Sequence, residues 1–250
     1  MKTDLYEKIK VVKGEKFVTI EDTKNLAEYE LIRLINDLMN QSAVKNTKTI
    51  NILVESKLSE QVDSELRQNS FHMHDENVTV RKELETHITE EQFYLLKTLN
   101  ELSENEFKTI WQKSMEGSLN APSSLNIDEQ MRNVEVELGP GYKDSCIVAY
   151  EGENPIGVIM PHIEPGTKEE GRIFYFGLIP EERGKGKSKP LHQQALFILK
   201  NQFDASYYIG STSHHNKPML KTFERNGCNV LERNKVYKRE TEEREVYESK

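Results

Sequence analysis

Between residues 179 and 196 the chain reads IPEERGKGKSKPLHQQAL, and Arg183, Lys185, Lys187 and Lys189 crowd the start of an amphipathic helix. The first backbone N–H groups of a helix carry a partial positive charge of their own, so extra cations there are unfavourable unless an anion joins them. Gly184 and Gly186 can turn successive N–H groups onto that anion, and the small Ser188 allows close approach. The chemistry expected is capture of a phosphate or pyrophosphate. The nucleotide-triphosphate loop G-x-x-x-x-G-K-[ST] would need its first glycine at position 181, which is Glu181, and no later apolar strand ending in Asp supplies a magnesium ligand. A merely solvated basic loop is the other reading of the segment.

The flanks bear on that choice. GRIFYFGLI, residues 171 to 179, has the aromatic and β-branched content of a strand. After the turn, Leu191, Ala195, Ile198 and Leu199 recur at helical spacing, and Pro190 falls in the first turn, where no internal hydrogen bond is lost. SYYIGST, residues 206 to 212, predicts the next strand, and NKPMLKTFERNGCNV from Asn216 predicts a short helix closed by Gly227. Upstream, SENEFKTIWQKSMEGS opens at Ser103 with Glu106 in capping-box spacing, NIDEQMRNVEVEL predicts a second helix, and SCIVAYEGENPIGVIMP predicts a hairpin turning at Gly152 to Pro155.

With these elements around it, FGLIPEERGKGKS resembles the acetyl-CoA loop of the GCN5-related N-acetyltransferase (GNAT) superfamily, an apolar strand followed by [QR]-x-x-G-x-[GA]. The matching residues are Arg183, Gly184, Lys185, Gly186, Lys187 and Ser188, with Ser188 in place of the pattern's last small residue and Lys187 where an apolar one is usual. The helix from Asn216 is similar to the superfamily's N-x-x-A-x-x-L-Y-E-K-x-G-F, through Asn216, Glu224 and Gly227; Phe223 takes the tyrosine position and Cys228 the final phenylalanine. The resemblance covers roughly residues 90 to 240. It implies an α+β fold, a mixed and mostly antiparallel central sheet flanked by helices (the acyl-CoA N-acyltransferase fold), and transfer of the acetyl group of acetyl-CoA to a primary amine of a small molecule.

It also implies roles for individual residues. Leu178, Ile179 and Pro180 would border the cofactor together with the turn, and a backbone N–H near Leu178 would polarise the thioester carbonyl, a contact typically worth about 2.7 to 4 kcal/mol. Asn216 would bond to the pantetheine or fix the strand end. Phe223 lacks the hydroxyl with which many relatives protonate the CoA thiolate, and the strand carries no mid-strand carboxylate base. Arg172 and Tyr175 could line the acceptor pocket, and His214 and His215, beside Asn216, suit proton shuttling, or else form a polar surface pair. The alternative function is a catalytically silent acyl-CoA-binding or regulatory module.

Residues 48 to 84 read as strand, helix, strand and align without gaps to 205 to 241, Ile52 meeting Ile209 and Asn77 meeting Asn234, while an amphipathic helix with Leu31, Leu34, Ile35 and Leu38 precedes them. The expectation is a degenerate partial GNAT-like half over residues 1–85, without a CoA site because residues 26 to 31 (LAEYEL) contain no glycine, and an acetyltransferase domain over 86–250. An unrelated α/β extension packed on the catalytic domain is the competing reading.

A formal charge of −8 argues against general nucleic-acid binding. Every apolar run is short and the N-terminus lacks the apolar core of a secretory signal, so a cytoplasmic protein without a membrane span is expected. Cys146 and Cys228 stand far apart with no Cys/His cluster, which predicts buried thiols and no metal site. The HMH at 72 to 74, the KEE at 168 to 170 and the TEEREVYESK at the C-terminus are expected to be solvated.

Overall fold

The computed structural model describes residues 5–13, 17–40, 47–57, 59–85, 93–119 and 125–240. The chain forms two compact units, Met1–Val78 with Glu232–Lys250, and Thr79–Leu231. These bounds differ from a split after residue 85, because the last strand of the chain returns to the first unit.

In the first unit, β1 (Lys10–Lys13) and β2 (Phe17–Glu21) form an antiparallel pair, and β2 runs parallel to β3 (Thr49–Glu55) from Phe17↔Thr49 to Ile20↔Ile52. On its other edge β3 pairs antiparallel with β10 (Asn229–Glu240) over Asn234 to Glu240, and β4 (His72–Glu83) follows β10 in the order β1-β2-β3-β10-β4. Helices α1 (Glu28–Asn40) and α2 (Glu60–Gln68) place Leu34, Ile35, Leu38, Val62 and Leu66 against Ile20, Ile50 and Ile52, the alternate residues of the strands. Ser59 caps α2 by accepting from the Val62 N–H. The HMH segment is exposed, as expected, and forms the opening residues of β4.

In the second unit the order is β9 (Tyr207–Ser213), β8 (Glu170–Leu178), β7 (Asn154–Ile163), β6 (Ile147–Glu151), β5 (Leu95–Thr98), all antiparallel neighbours except β8 and β9. The period of two in β6 divides the core. Val148 and Tyr150 meet Phe107 and Trp111 of α3 (Glu104–Met115) and Met131 and Val134 of α4 (Ile127–Leu138), while Ile147 and Ala149 meet Leu191, Ala195 and Ile198 of α6 (Ser188–Asn201). A single turn, α5 (Tyr142–Ser145), leads into β6. The β6–β7 hairpin is tighter than its sequence suggests, with Glu151 opposite Asn154 and Pro155 already in the strand. Asn126 and Glu129 form a full capping box at α4.

The helix and second strand of each half, α2 and β4 against α7 (Lys217–Arg225) and β10, recur at one displacement along the chain, Glu60–Gln68 against Lys217–Arg225 and His72–Glu83 against Asn229–Glu240, and the preceding strands β3 and β9 differ from it by one residue. The buried residues correspond too, Leu66 to Phe223 and Phe71 to Cys228. Both cysteines are buried and unlinked; burial pushes the Cys146 thiol up to about 12 and the Cys228 thiol to about 11. The KEE segment is only partly solvated, since Glu170 begins β8 and receives hydrogen bonds from Arg172 at 2.6 Å and the Tyr207 hydroxyl at 3.2 Å. The C-terminal TEEREVYESK lies outside the described residues. Among the described residues no helix is long and apolar enough to cross a membrane.

Candidate active site

β8 and β9 pair at Glu170↔Tyr207 and Gly171↔Tyr208 and at no later position, so the two parallel strands part along the rest of β8. On its other side β8 advances three residues, Phe176 to Ile173, while β7 advances two, Ile159 to Pro161. That extra residue is a bulge at Phe174 and Tyr175, which bends β8. In the first unit β2 and β3 stay paired to Ile20↔Ile52 and no comparable gap opens.

Two cavities fill the parting. One, of about 620 Å³, is lined by Gly177 and Leu178 of β8, by Arg183, Gly184, Gly186, Lys187, Ser188 and Lys189 of the turn, and by Asn216, Pro218, Thr222 and Arg225. Gly184 and Gly186 have φ of 74° and 80°, the left-handed conformation that lets the turn present its backbone. The turn delivers Ser188 to the first position of α6, where the Thr222 hydroxyl hydrogen-bonds it at 2.9 Å. Leu178 and Ile179 are buried, and Pro180 opens a short 3-10 turn.

The cations of the turn do not all face this cavity, contrary to the first reading of their spacing. Lys187 pairs with Glu182 at 2.6 Å and Glu151 at 2.7 Å, which raises its pKa to about 12, and Lys185 pairs with Glu182 at 3.3 Å. Arg183 donates to the carbonyls of Leu178 and Ser114, both at 3.0 Å. Their partners are neighbouring carboxylates and two main-chain carbonyls, one at the end of β8 and one at the end of α3. Around the same cavity Lys189, Lys217, Lys221 and Arg225 have no acidic partner among the described residues. The last three come from α7, one turn of helix apart on a shared face, and the sequence reading missed them because they lie more than 25 positions from the turn.

The second cavity, of about 790 Å³, lies further along β8 and shares Phe176, Gly117, Ser118, Asn216 and Met219 with the first. His162, Glu164, Arg172, Phe174, Tyr175, Tyr208, Gly210 and Phe223 line it. The Tyr175 hydroxyl donates to the Ser114 carbonyl at 2.8 Å, its ring meets Trp111 edge-on, and burial raises its pKa. Arg172 is held by Glu170 at 2.6 Å and Glu164 at 3.8 Å. Asn216 caps α7, accepting from the Met219 N–H at 3.2 Å and donating to Thr212 at 3.1 Å, which fixes the end of β9.

His214 and His215 stack in the turn between β9 and α7 with ring centroids 3.8 Å apart, and neither lines either cavity. The histidine that does is His162 on β7, a residue the sequence offered no motif to find. It is 5 % exposed, its Nδ1 is 3.4 Å from the Met160 carbonyl, and Glu164 lies 4.0 Å from Nε2. Burial holds its pKa below the usual histidine range, so it is a neutral base near neutral pH.

A glycine turn and a helix N-terminus thus stand at the mouth of the parted parallel pair β8 and β9. Residues 99–228 match the family model described as Acetyltransferase (GNAT) family. The chain therefore belongs to the GNAT family. Among solved structures it is similar in fold to a GCN5-related N-acetyltransferase from Sphaerobacter thermophilus (12 % identity, 93 % of this chain and 76 % of that one, TM-score 0.61). It is also similar to a GNAT-family acetyltransferase from Colwellia psychrerythraea (14 %, 92 % and 80 %, 0.55) and to a tandem GNAT protein from the clavulanic acid biosynthesis pathway (12 %, 93 % and 78 %, 0.56). Among curated proteins none matches the sequence.

Proposed function

We propose that this protein is an acetyl-CoA-dependent N-acetyltransferase acting on a primary amine of a small molecule. The observation that carries this is the end of β8–β9 pairing at Gly171↔Tyr208, with the glycine turn at one end of the gap and a second cavity at the other. The pyrophosphate sits on the N–H groups of residues 184–188, with Lys189, Lys217, Lys221 and Arg225 supplying charge. The pantetheine follows Leu178 toward Phe176, and the acetyl group reaches the residues common to both cavities.

The amine enters from the larger cavity, whose lining carries two carboxylates, Glu137 and Glu164, against the one guanidinium of Arg172, a polar and net acidic surface suited to a cationic acceptor. His162 takes its proton, directly or through water, in place of His214 and His215, which line neither cavity. The first unit is a degenerate GNAT-like half without a CoA site; the matching boundaries of α2 and α7 support the common origin, and the closed β2–β3 pair leaves no slot.

The test is acetyl-CoA turnover with a panel of primary amines, read as thiol release, alongside the thermal shift that acetyl-CoA causes. Absence of both shift and turnover would overturn the proposal. A shift without turnover on any amine would leave only a CoA-binding module.

A further inference from the structure

Tyr208 sits at the last position where β9 still pairs with β8. Its ring is buried against His192 and Phe223, with centroids 5.3 and 6.3 Å away, and it lines the larger cavity. A buried phenol ordinarily finds a hydrogen-bond partner. The Tyr208 hydroxyl makes none among the described residues. A Cβ placed on Gly210 would run into that hydroxyl and lie 3.0 Å from Cζ of Phe223, so the hydroxyl and the tip of the Phe223 ring face one spot that only glycine leaves open. Phe223 stands one helical turn from Met219, which lines both cavities.

We propose that Tyr208 is a catalytic residue for the acyl transfer, its hydroxyl donating a hydrogen bond to the CoA sulfur as that sulfur leaves. This rests on the acyltransferase reading above. The C–N bond to the amine forms and the C–S bond breaks, its electron pair passing to sulfur. The amine's proton goes to His162 or water, and the Tyr208 O–H stabilises the thiolate without having to give up its own proton. Burial suits that role, because it raises the phenol's pKa and keeps it a donor across the working range.

Because the hydroxyl has no protein partner to lose, Tyr208→Phe should fold as stably as the parent and keep its acetyl-CoA thermal shift, while kcat falls about 10²-fold and the KM for acetyl-CoA holds. Adding Phe223→Tyr to that variant sets a hydroxyl on the ring atom that faces the same spot, and at least tenfold of the rate should return. Either of two results would overturn the assignment: Tyr208→Phe within a few-fold of the parent, or a loss of rate matched by a loss of stability or of the CoA shift. A double variant no faster than Tyr208→Phe would overturn the shared placement. A parent protein without turnover on any amine would instead remove the acyltransferase reading itself.

Discussion

Arg183 reaches back to the strand that precedes it, donating from Nε to the Leu178 carbonyl at 3.0 Å, while its Nη2 donates to the Ser114 carbonyl at the end of α3. Ser114 also receives the Tyr175 hydroxyl. One guanidinium thus ties the end of β8, the turn and α3 together at the wall of the smaller cavity. Its fork geometry is what lets it serve two carbonyls on two elements.

Lysine at this position keeps the charge and loses the fork. Arg183→Lys should therefore cost about 2 kcal/mol in chemical denaturation and weaken acetyl-CoA binding, since hydrogen bonds from charged groups are worth about 1.5 to 3 kcal/mol. A variant as stable as the parent would show that the two contacts are dispensable.

Gly186, at φ 80°, separates strain from charge. Gly186→Ala strains the turn and should reduce the thermal shift caused by acetyl-CoA; Gly186→Glu adds a carboxylate where the phosphates lie and should abolish it. A persisting shift in the glutamate variant would place the cofactor elsewhere.

Glu182 pairs with both Lys185 and Lys187, and so competes with any phosphate at the turn. Glu182→Gln should tighten acetyl-CoA binding several-fold at low ionic strength, and the gain should fade as salt screens the released cations. Titrations at two salt concentrations check this. Looser binding in the variant would mean that the ion pairs hold the turn in shape.

His192 is fully buried among Phe176, Tyr208 and Phe223, and burial lowers its pKa to about 3. Between that value and the ordinary histidine pKa near 6.5, the unfolded chain binds a proton that the folded chain refuses. The stability from neutral His192 is complete above about pH 6.5 and is lost as pH falls toward 3, by up to about 1.4 kcal/mol per pH unit. His192→Gln should unfold with a shallower acid dependence in denaturant titrations from pH 7 to 4. An unchanged slope would assign the acid limb to other groups.

Removing residues 1–85 strips β9 of Thr79 and Leu84, which hydrogen-bond Ser211 and the Ser206 carbonyl, and leaves Tyr237 without Asp63, the acceptor of its hydroxyl. Tyr237 belongs to the first unit's buried core. A fragment of residues 86–250 should therefore be poorly soluble and unfold without cooperativity. Recovery of a monomeric, CoA-binding fragment would show that residues 86–250 fold without those partners.

Local chemistry made much of this legible from residues alone. The glycine turn with its flanking strand and helix, the capped starts at Ser103 and Asn216, the β6–β7 hairpin and the repeated strand-helix-strand all depend on interactions within a few positions of one another. What could not be read there was which partner each charge would choose. Arg183, Lys185 and Lys187 share one cluster in the chain, yet they turn to Ser114, Glu182 and Glu151, while three of the four cavity cations without an acidic partner among the described residues, Lys217, Lys221 and Arg225, come from α7. His162 and Tyr208 carry no motif, and their placement depends on a bulge in β8 and on where β8 and β9 stop pairing. Spacing within an element is set by backbone geometry and needs no more than the sequence. Convergence of side chains from separate strands and helices is set by packing and register, and only the tertiary structure decides it.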